Sequence, residues 1–271
     1  MDTSIQDMGL AIAIALLIGL ELLVPSFREG LWGGSRARRL RNWAYLIAAI
    51  FSALLVRTIG EALRARMTPW LHFPSHPVLN FFGCVLVAEL LGWTLHYVKH
   101  RHAWLWRLHV QHHREPAYDL WLVTHTHALE VVVSGTLMAV VLVGLGFSPT
   151  SLQLYFAGYT VLKSYQHSGH PLSLGPLDKL LISPAYHRLH HAEGAQVNFG
   201  ISLTLFDLIF RTARWPVAGE ALVYGEPKEP YGFVAEMGYF LEPLAPVVPE
   251  PVSAPRNQSL TTANAGLPRR V

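Results

Sequence analysis

The chain of 271 residues is 51% hydrophobic and only 14% charged, with a mean hydropathy of +0.29. A soluble domain carries about 25% charged residues, so lipid is the expected solvent for much of this chain. The formal charge of +3 comes mostly from arginines beside apolar runs, which suits anionic headgroups, and the lack of a basic face or recognition module argues against nucleic acid as a partner.

In chain order, the first apolar run is "MGLAIAIALLIGLELLVP" (8–25). Its N-terminal flank holds Asp2 and Asp7 rather than basic residues, and it is long for a signal h-region, so a membrane helix is expected. "NWAYLIAAIFSALLVRTIG" (42–60) and "VLNFFGCVLVAELLGWTLHYV" (78–98) have the roughly 20 residues that a span needs. Runs 128–147 and 151–166 are separated only by "SPT", which predicts a tight helical hairpin that spans the bilayer or enters it. The one cysteine, Cys84, lies within an apolar run and reads as a small buried hydrophobe. From 216 the chain turns loop-like, and from about 243 its Pro, Ala, Ser and Asn content predicts disorder.

Orientation follows from basic residues near the ends of the spans. Arg28, Arg36, Arg38, Arg39 and Arg41 precede the second span; Lys99, Arg101, Arg107 and Arg114 follow the third. With three spans before residue 99, both groups fall on one side, expected to be cytoplasmic. The hairpin 128–166 returns the chain to that side, so "HVQHH" (109–113) and "HRLHH" (187–191) meet there.

Most of the fifteen histidines are clustered. His96 and His100 stand four apart, on one helical face. His109, His112 and His113 have spacings expected to put all three on one stripe, as do His187, His190 and His191. His125, His127, His167 and His170 stand near helix ends, whereas His72, His76 and His102 read as ordinary interfacial side chains. Imidazoles packed together near a bilayer repel if protonated and need partners if buried. A metal ion supplies the partner and keeps them neutral. The eight clustered histidines exceed the six positions of an octahedral ion, which predicts two metals. Imidazole suits zinc, copper, iron and nickel, so ligand type leaves the metal open.

The order HxxxH, HxxHH, HxxHH across membrane segments resembles the fatty acid hydroxylase and sterol desaturase superfamily of integral-membrane di-iron enzymes, over roughly residues 38–215. "AELLGWTLHYVKH" is similar to its acidic segment before the first histidine pair, with Glu89 in the acidic place, and "LWRLHVQHH" to its second box. "THTHALE" aligns His127 and Glu130 with its Arg-x-His-Pro-Leu-Glu element. "HSGHPLSLGPLDKLLISPAYHRLHH" follows its connection from His167 into the last box, and "NFGISLTLFDLIFRT" its closing element with Asp207. Tyr97 and His125 stand where the family has arginines, Ala128 for a proline, Phe206 for a tryptophan and Arg211 for a glycine.

The resemblance implies an all-α, multi-span membrane protein with a cytosolic histidine-rich cap holding two irons. Domains are expected at 1–77 (N-terminal membrane helices), 78–215 (catalytic) and 216–271 (loop-rich). The implied ligands are His96, His100, His109, His112, His113, His187, His190 and His191, completed by His127 and His167. Glu89, Glu130 and Asp207 would orient ligand imidazoles, and Trp93, Trp104, Trp106 and Trp121 would anchor at the interface. The expected reaction is O2-dependent hydroxylation of a lipid C–H bond, with desaturation as the alternative outcome of the same site. With no cytochrome, ferredoxin or dinucleotide motif in the sequence, electrons are expected from a separate ferredoxin or cytochrome b5-like donor and its reductase. A non-catalytic metal carrier or transporter is the competing class, but it predicts ionisable residues spread through several spans.

Overall fold

The computed structural model describes residues 19, 33–170, 172–217, 219–225 and 232–241. The first expected span (position 19 excepted) and the expected disordered tail lie outside these residues. The described residues are helical: α1 (Arg36–Arg66), α2 (Pro77–Arg101), α3 (Ala103–Arg114), α4 (Ala128–Gly144), α5 (Pro149–Gln166), α6 (Pro184–His190), α7 (Leu205–Ile209) and α8 (Phe233–Gly238), with three short 3-10 turns. Among them there is no strand, only the isolated bridges Leu181–Leu203 and Ala192–Tyr224.

Two helices, α1 and α2, are long and apolar enough to cross a membrane, and α4 is a shorter apolar helix. At 1.5 Å per residue α1 is about 46 Å long and α2 about 37 Å, against a hydrocarbon layer of about 30 Å. The helix overruns its apolar stretch 42–60 at both ends, and at the N-terminal end Ser35 caps it by accepting from the Arg38 N–H at 3.2 Å. Arg38 reaches Glu115 and Asp119 of the cap at 3.3 and 2.6 Å, and Arg41 also pairs with Glu115. These two arginines therefore clamp α1 to the cap instead of facing lipid headgroups. The exposed apolar side chains of α1, such as Ile47, Phe51 and Leu54, lie further along.

The α4–α5 hairpin goes as deep as the α1–α2 pair. Gly144 O, at the tip of α4, accepts from the Trp70 N–H in the α1–α2 connection at 2.6 Å, and Ser148 N–H donates to Asn80 Oδ1 at 2.9 Å. Cys84, Ala88, Met138, Leu142, Phe147 and Tyr155 form the core between α2, α4 and α5. Cys84 is fully buried there, as expected of a small hydrophobe.

The cap is built on α2's continuation. The helix breaks at His102, which is extended (φ −113°, ψ 116°), and α3 starts one residue later in a new direction. Pro116 ends α3, since the preceding Glu115 must leave the helical region. Gly92 lets the 199–203 loop press against α2, because any Cβ there would collide with Ile201. Arg211, in the family's glycine place, follows α7 with φ 60°. That left-handed conformation costs a side-chain-bearing residue about 1–2 kcal/mol, which explains the family's glycine. Replacement by glycine also frees the unfolded chain, at a cost of about 0.4–1 kcal/mol. Arg211→Gly is therefore expected to leave the fold intact and stabilise it by up to about 1 kcal/mol, read from thermal unfolding in detergent.

Candidate metal centre

Nine imidazoles gather in two groups whose ligand atoms lie within 4.8 Å of one another: His96, His100, His109, His113 and His190 in one, His112, His167, His187 and His191 in the other. The boxes do not each form one wall, as their spacing had predicted. Each HxxHH box sends its first and last histidine to one group and its middle one to the other: His109 and His113 against His112, His187 and His191 against His190. At 100° per residue, positions four apart differ by about 40° while position i+3 falls about 60° to the other side. Two such helices facing each other therefore exchange their middle histidines.

For five of the nine rings, what the outer nitrogen touches fixes where the inner lone pair points. His96 Nδ1 lies 2.9 Å from Phe199 O, His190 Nδ1 2.9 Å from Val197 O, His167 Nδ1 2.7 Å from Lys163 O and His112 Nδ1 3.3 Å from His125 O. His109 Nδ1 lies 3.0 Å from Glu130 Oε1, itself paired with Lys99 Nζ at 2.6 Å. Carbonyls and carboxylates only accept, so each of these Nδ1 atoms carries the proton and each Nε2 is bare. Yet His96 Nε2 and His109 Nε2 are 3.1 Å apart, as are His112 Nε2 and His167 Nε2. Two bare nitrogens cannot hydrogen-bond each other. Nitrogens bound about 2.0–2.1 Å from a common ion would sit ~3–4 Å apart, so the contacts fit a cation in each group.

Burial agrees. It pushes His112, His113, His187 and His191 well below the usual imidazole range, with neighbouring histidines adding to the effect, and His190 down to about 3. These rings are neutral near pH 7, the form that binds metal. Both ring nitrogens of His100, Nε2 of His190 and Nδ1 of His187 are buried without any hydrogen-bond partner, each a cost of about 1–3 kcal/mol unless something binds there.

The other expected site residues separate by position. His167 joins the second group. His127 joins neither: its Nδ1 caps α4 by accepting from Leu129 N–H at 3.1 Å, and its Nε2 lies 3.0 Å from Met237 O. His125 braces Asn42 of α1 at 2.9 Å, and His170 lies outside both groups. Glu130 orients an imidazole directly. Glu89 and Asp207 do so one step removed. Glu89 accepts from Ser202 N–H and Leu203 N–H at 3.0 and 2.9 Å. Asp207 accepts from Phe199 N–H and Gly200 N–H at 2.8 and 2.9 Å, and from Trp93 Nε1 at 2.9 Å. Together they hold the loop whose Phe199 carbonyl aims His96. Of the four tryptophans expected as interface anchors, only Trp104 is exposed; Trp93 and Trp121 are buried and Trp106 packs on His100 and His113.

Sequence reasoning missed a brace behind α3. Gln111 Nε2 donates to Glu236 O at 2.5 Å, Arg114 lies 4.8 Å over the Tyr239 ring, and Tyr45 of α1 hydrogen-bonds Glu236. Segment 232–241 thus backs the ligand-bearing helix, although no motif marks it.

Fold and site define a helical membrane protein with two adjacent all-histidine groups able to hold metal ions. Residues 81–212, just under half of the chain, match the sequence model of the fatty acid hydroxylase family. Similar curated proteins include ornithine lipid hydroxylase OlsE of Rhizobium tropici, 28% identical over 161 residues (56% of this chain, 47% of that protein). Alkylglycerol monooxygenase of Homo sapiens is 26% identical over 150 residues (54% and 33%). Very-long-chain aldehyde decarbonylase GL1-6 of Oryza sativa subsp. japonica is 29% identical over 188 residues (64% and 29%). The matched stretches thus cover less than half the length of these relatives. No solved structure matches the chain.

Alanine at His100 or His191 is expected to lower the metal content measured by plasma mass spectrometry, whereas alanine at His127 leaves it at the wild-type value. An equal loss at His127 would return that residue to the ligand set.

Proposed function

We propose that the chain is a membrane-bound di-iron oxygenase that hydroxylates a C–H bond in the alkyl chain of a membrane lipid. The observation that carries this is the pair of imidazole groups with bare, converging Nε2 atoms beside a helix long and apolar enough to cross a membrane. Similarity to an ornithine lipid hydroxylase and an alkylglycerol monooxygenase supports a polar lipid with a long chain as the substrate class. Two irons bound there would supply the activation of O2 and the attack on an unactivated C–H bond. The overall change balances as lipid plus O2, two electrons and two protons giving hydroxylated lipid and water.

The protein's own part is to hold and shield. Nine histidines provide the ligands. Phe199, fully buried, packs on His96, His100 and His190 with ring centroids 5.2–6.0 Å apart and keeps water from the first group. Placement of His96 and His100 at the end of α2 lets a chain stay in lipid while one carbon reaches the site. The excess of arginine and lysine beside the cap supports a cytoplasmic location for it, where a separate ferredoxin or cytochrome b5-like donor would deliver electrons.

Anaerobically purified protein is expected to hold two irons per chain, lost in His112→Ala and His190→Ala; one zinc per chain without iron would overturn the proposal. Comparing total lipids from cells with and without the protein should show a species shifted by +16 mass units. A −2 shift would indicate desaturation instead, and unchanged lipids in iron-loaded, active cells would count against both.

A further inference from the structure

Two segments outside the membrane helices carry apolar side chains that the protein leaves uncovered. Leu174, Leu177 and Leu180, in and around the turn Gly175–Lys179, are 45–53% exposed. Leu208, Ile209 and Phe210, at the end of α7, are 47–56% exposed. The two segments are tied together: Thr204 N–H donates to Leu180 O at 3.0 Å, Thr204 Oγ1 to Lys179 O at 2.7 Å, and Leu181 bridges Leu203. They form one surface.

Contacts with the membrane helices fix its level. On α2, Glu89 holds Ser202 and Leu203, and the Trp93 ring stacks on Phe210 with centroids 4.3 Å apart. Glu89 lies about three turns below the end of α2 at Arg101, so segment 199–210 runs alongside the last turns of a membrane-crossing helix, not above it. On α5, Tyr165 OH donates to Leu172 O and Asp178 Oδ1 at 3.2 and 3.1 Å, binding the turn to that helix's end. Beside this surface α2 presents Phe82, Leu86 and Leu90, four apart and all exposed, as a lipid-facing stripe. The apolar surface continues that stripe.

Polar groups on the surface are arranged for burial in lipid. Asp178 turns inward, accepting from Tyr165, from Ser173 Oγ at 2.7 Å and from Leu174 N–H at 3.1 Å. Its carboxylate serves the turn's own donors. Lys179 and Arg211 are exposed beside the leucines and long enough to reach headgroups from there. A contiguous group of exposed apolar side chains rimmed by polar residues marks an interaction site, and continuity with the lipid-facing helix identifies the occupant.

We infer that residues 172–181 and 205–210 form a shelf immersed in the headgroup–acyl boundary of the cap-side leaflet, with the bilayer itself as its partner. The shelf rests on the membrane reading of α1 and α2, and on no assumption about the reaction. It places the lipid surface against the Phe210–Trp93–Phe199 aromatic stack that leads to His96, with Trp93 and Phe199 edge-to-face at 6.4 Å.

Spin labels on Leu177→Cys and Ile209→Cys in phosphatidylcholine–phosphatidylglycerol vesicles test it; buried Cys84 should leave the unsubstituted protein unlabelled. Phe51→Cys on α1 reports lipid and Val234→Cys, 82% exposed on α8, reports water. Collisions with O2 relative to a water-soluble nickel chelate should place both shelf labels with Phe51. Shelf labels that behave like Val234 while Phe51 remains in lipid would overturn the shelf alone. Protection from both reagents would mean that protein, a second copy included, covers the surface, and would overturn it too. A wet Phe51 label would overturn the membrane reading together with the shelf.

Discussion

Five of the nine imidazoles at the centre of this protein are aimed by what their outer nitrogen touches, and much of the remaining architecture keeps those acceptors in place. Four of the five acceptors are backbone carbonyls, Phe199, Val197, His125 and Lys163, and the fifth is the Glu130 carboxylate. A backbone carbonyl cannot re-aim itself without moving its loop. Asn198 therefore takes the left-handed conformation (φ 59°), which Asn tolerates better than most residues, and its amide donates to Tyr186 O and Arg214 O at 3.0 and 2.9 Å. Glu89 and Asp207 clamp the flanking amides. Proton positions, lone-pair directions and loop conformation form one linked constraint.

That constraint needs dry surroundings, and the helical hairpins supply them. The α1–α2 and α4–α5 pairs meet at both ends: the Trp70–Gly144 contact closes the far side, while Arg38, Arg41 and Asn42 fasten α1 to the cap beside the histidines. In a medium that solvates ions poorly, neutral imidazoles around a cation are favoured over protonated ones in mutual repulsion. The same low polarity makes the orphaned nitrogens of His100 costly unless ligated.

Much of this was legible in the sequence because helical spacing is geometric. HxxxH and HxxHH place imidazoles a turn apart in any helix, and composition marks the apolar helices. The division of each box between two groups was not legible, since it depends on how α3 and α6 face each other. His127 looked like a ligand by its neighbours in sequence, but its ring serves as a helix cap and meets Met237 O. Arg38 and Arg41 looked like lipid-facing charges until Glu115 and Asp119 were brought to them across more than seventy residues. The carbonyl acceptors carry no side-chain signature at all, and the brace from 232–241 arises from tertiary packing of an otherwise unremarkable segment.

The central claim is that the two groups are all-imidazole sites. X-ray absorption at the iron edge of the iron-loaded protein tests it directly, because imidazole rings give a distinctive outer-shell scattering pattern. Nine imidazoles shared between two ions predict an average of between four and five per iron. A fit with two or fewer imidazoles per iron, the remainder being carboxylate or solvent oxygen, would contradict it.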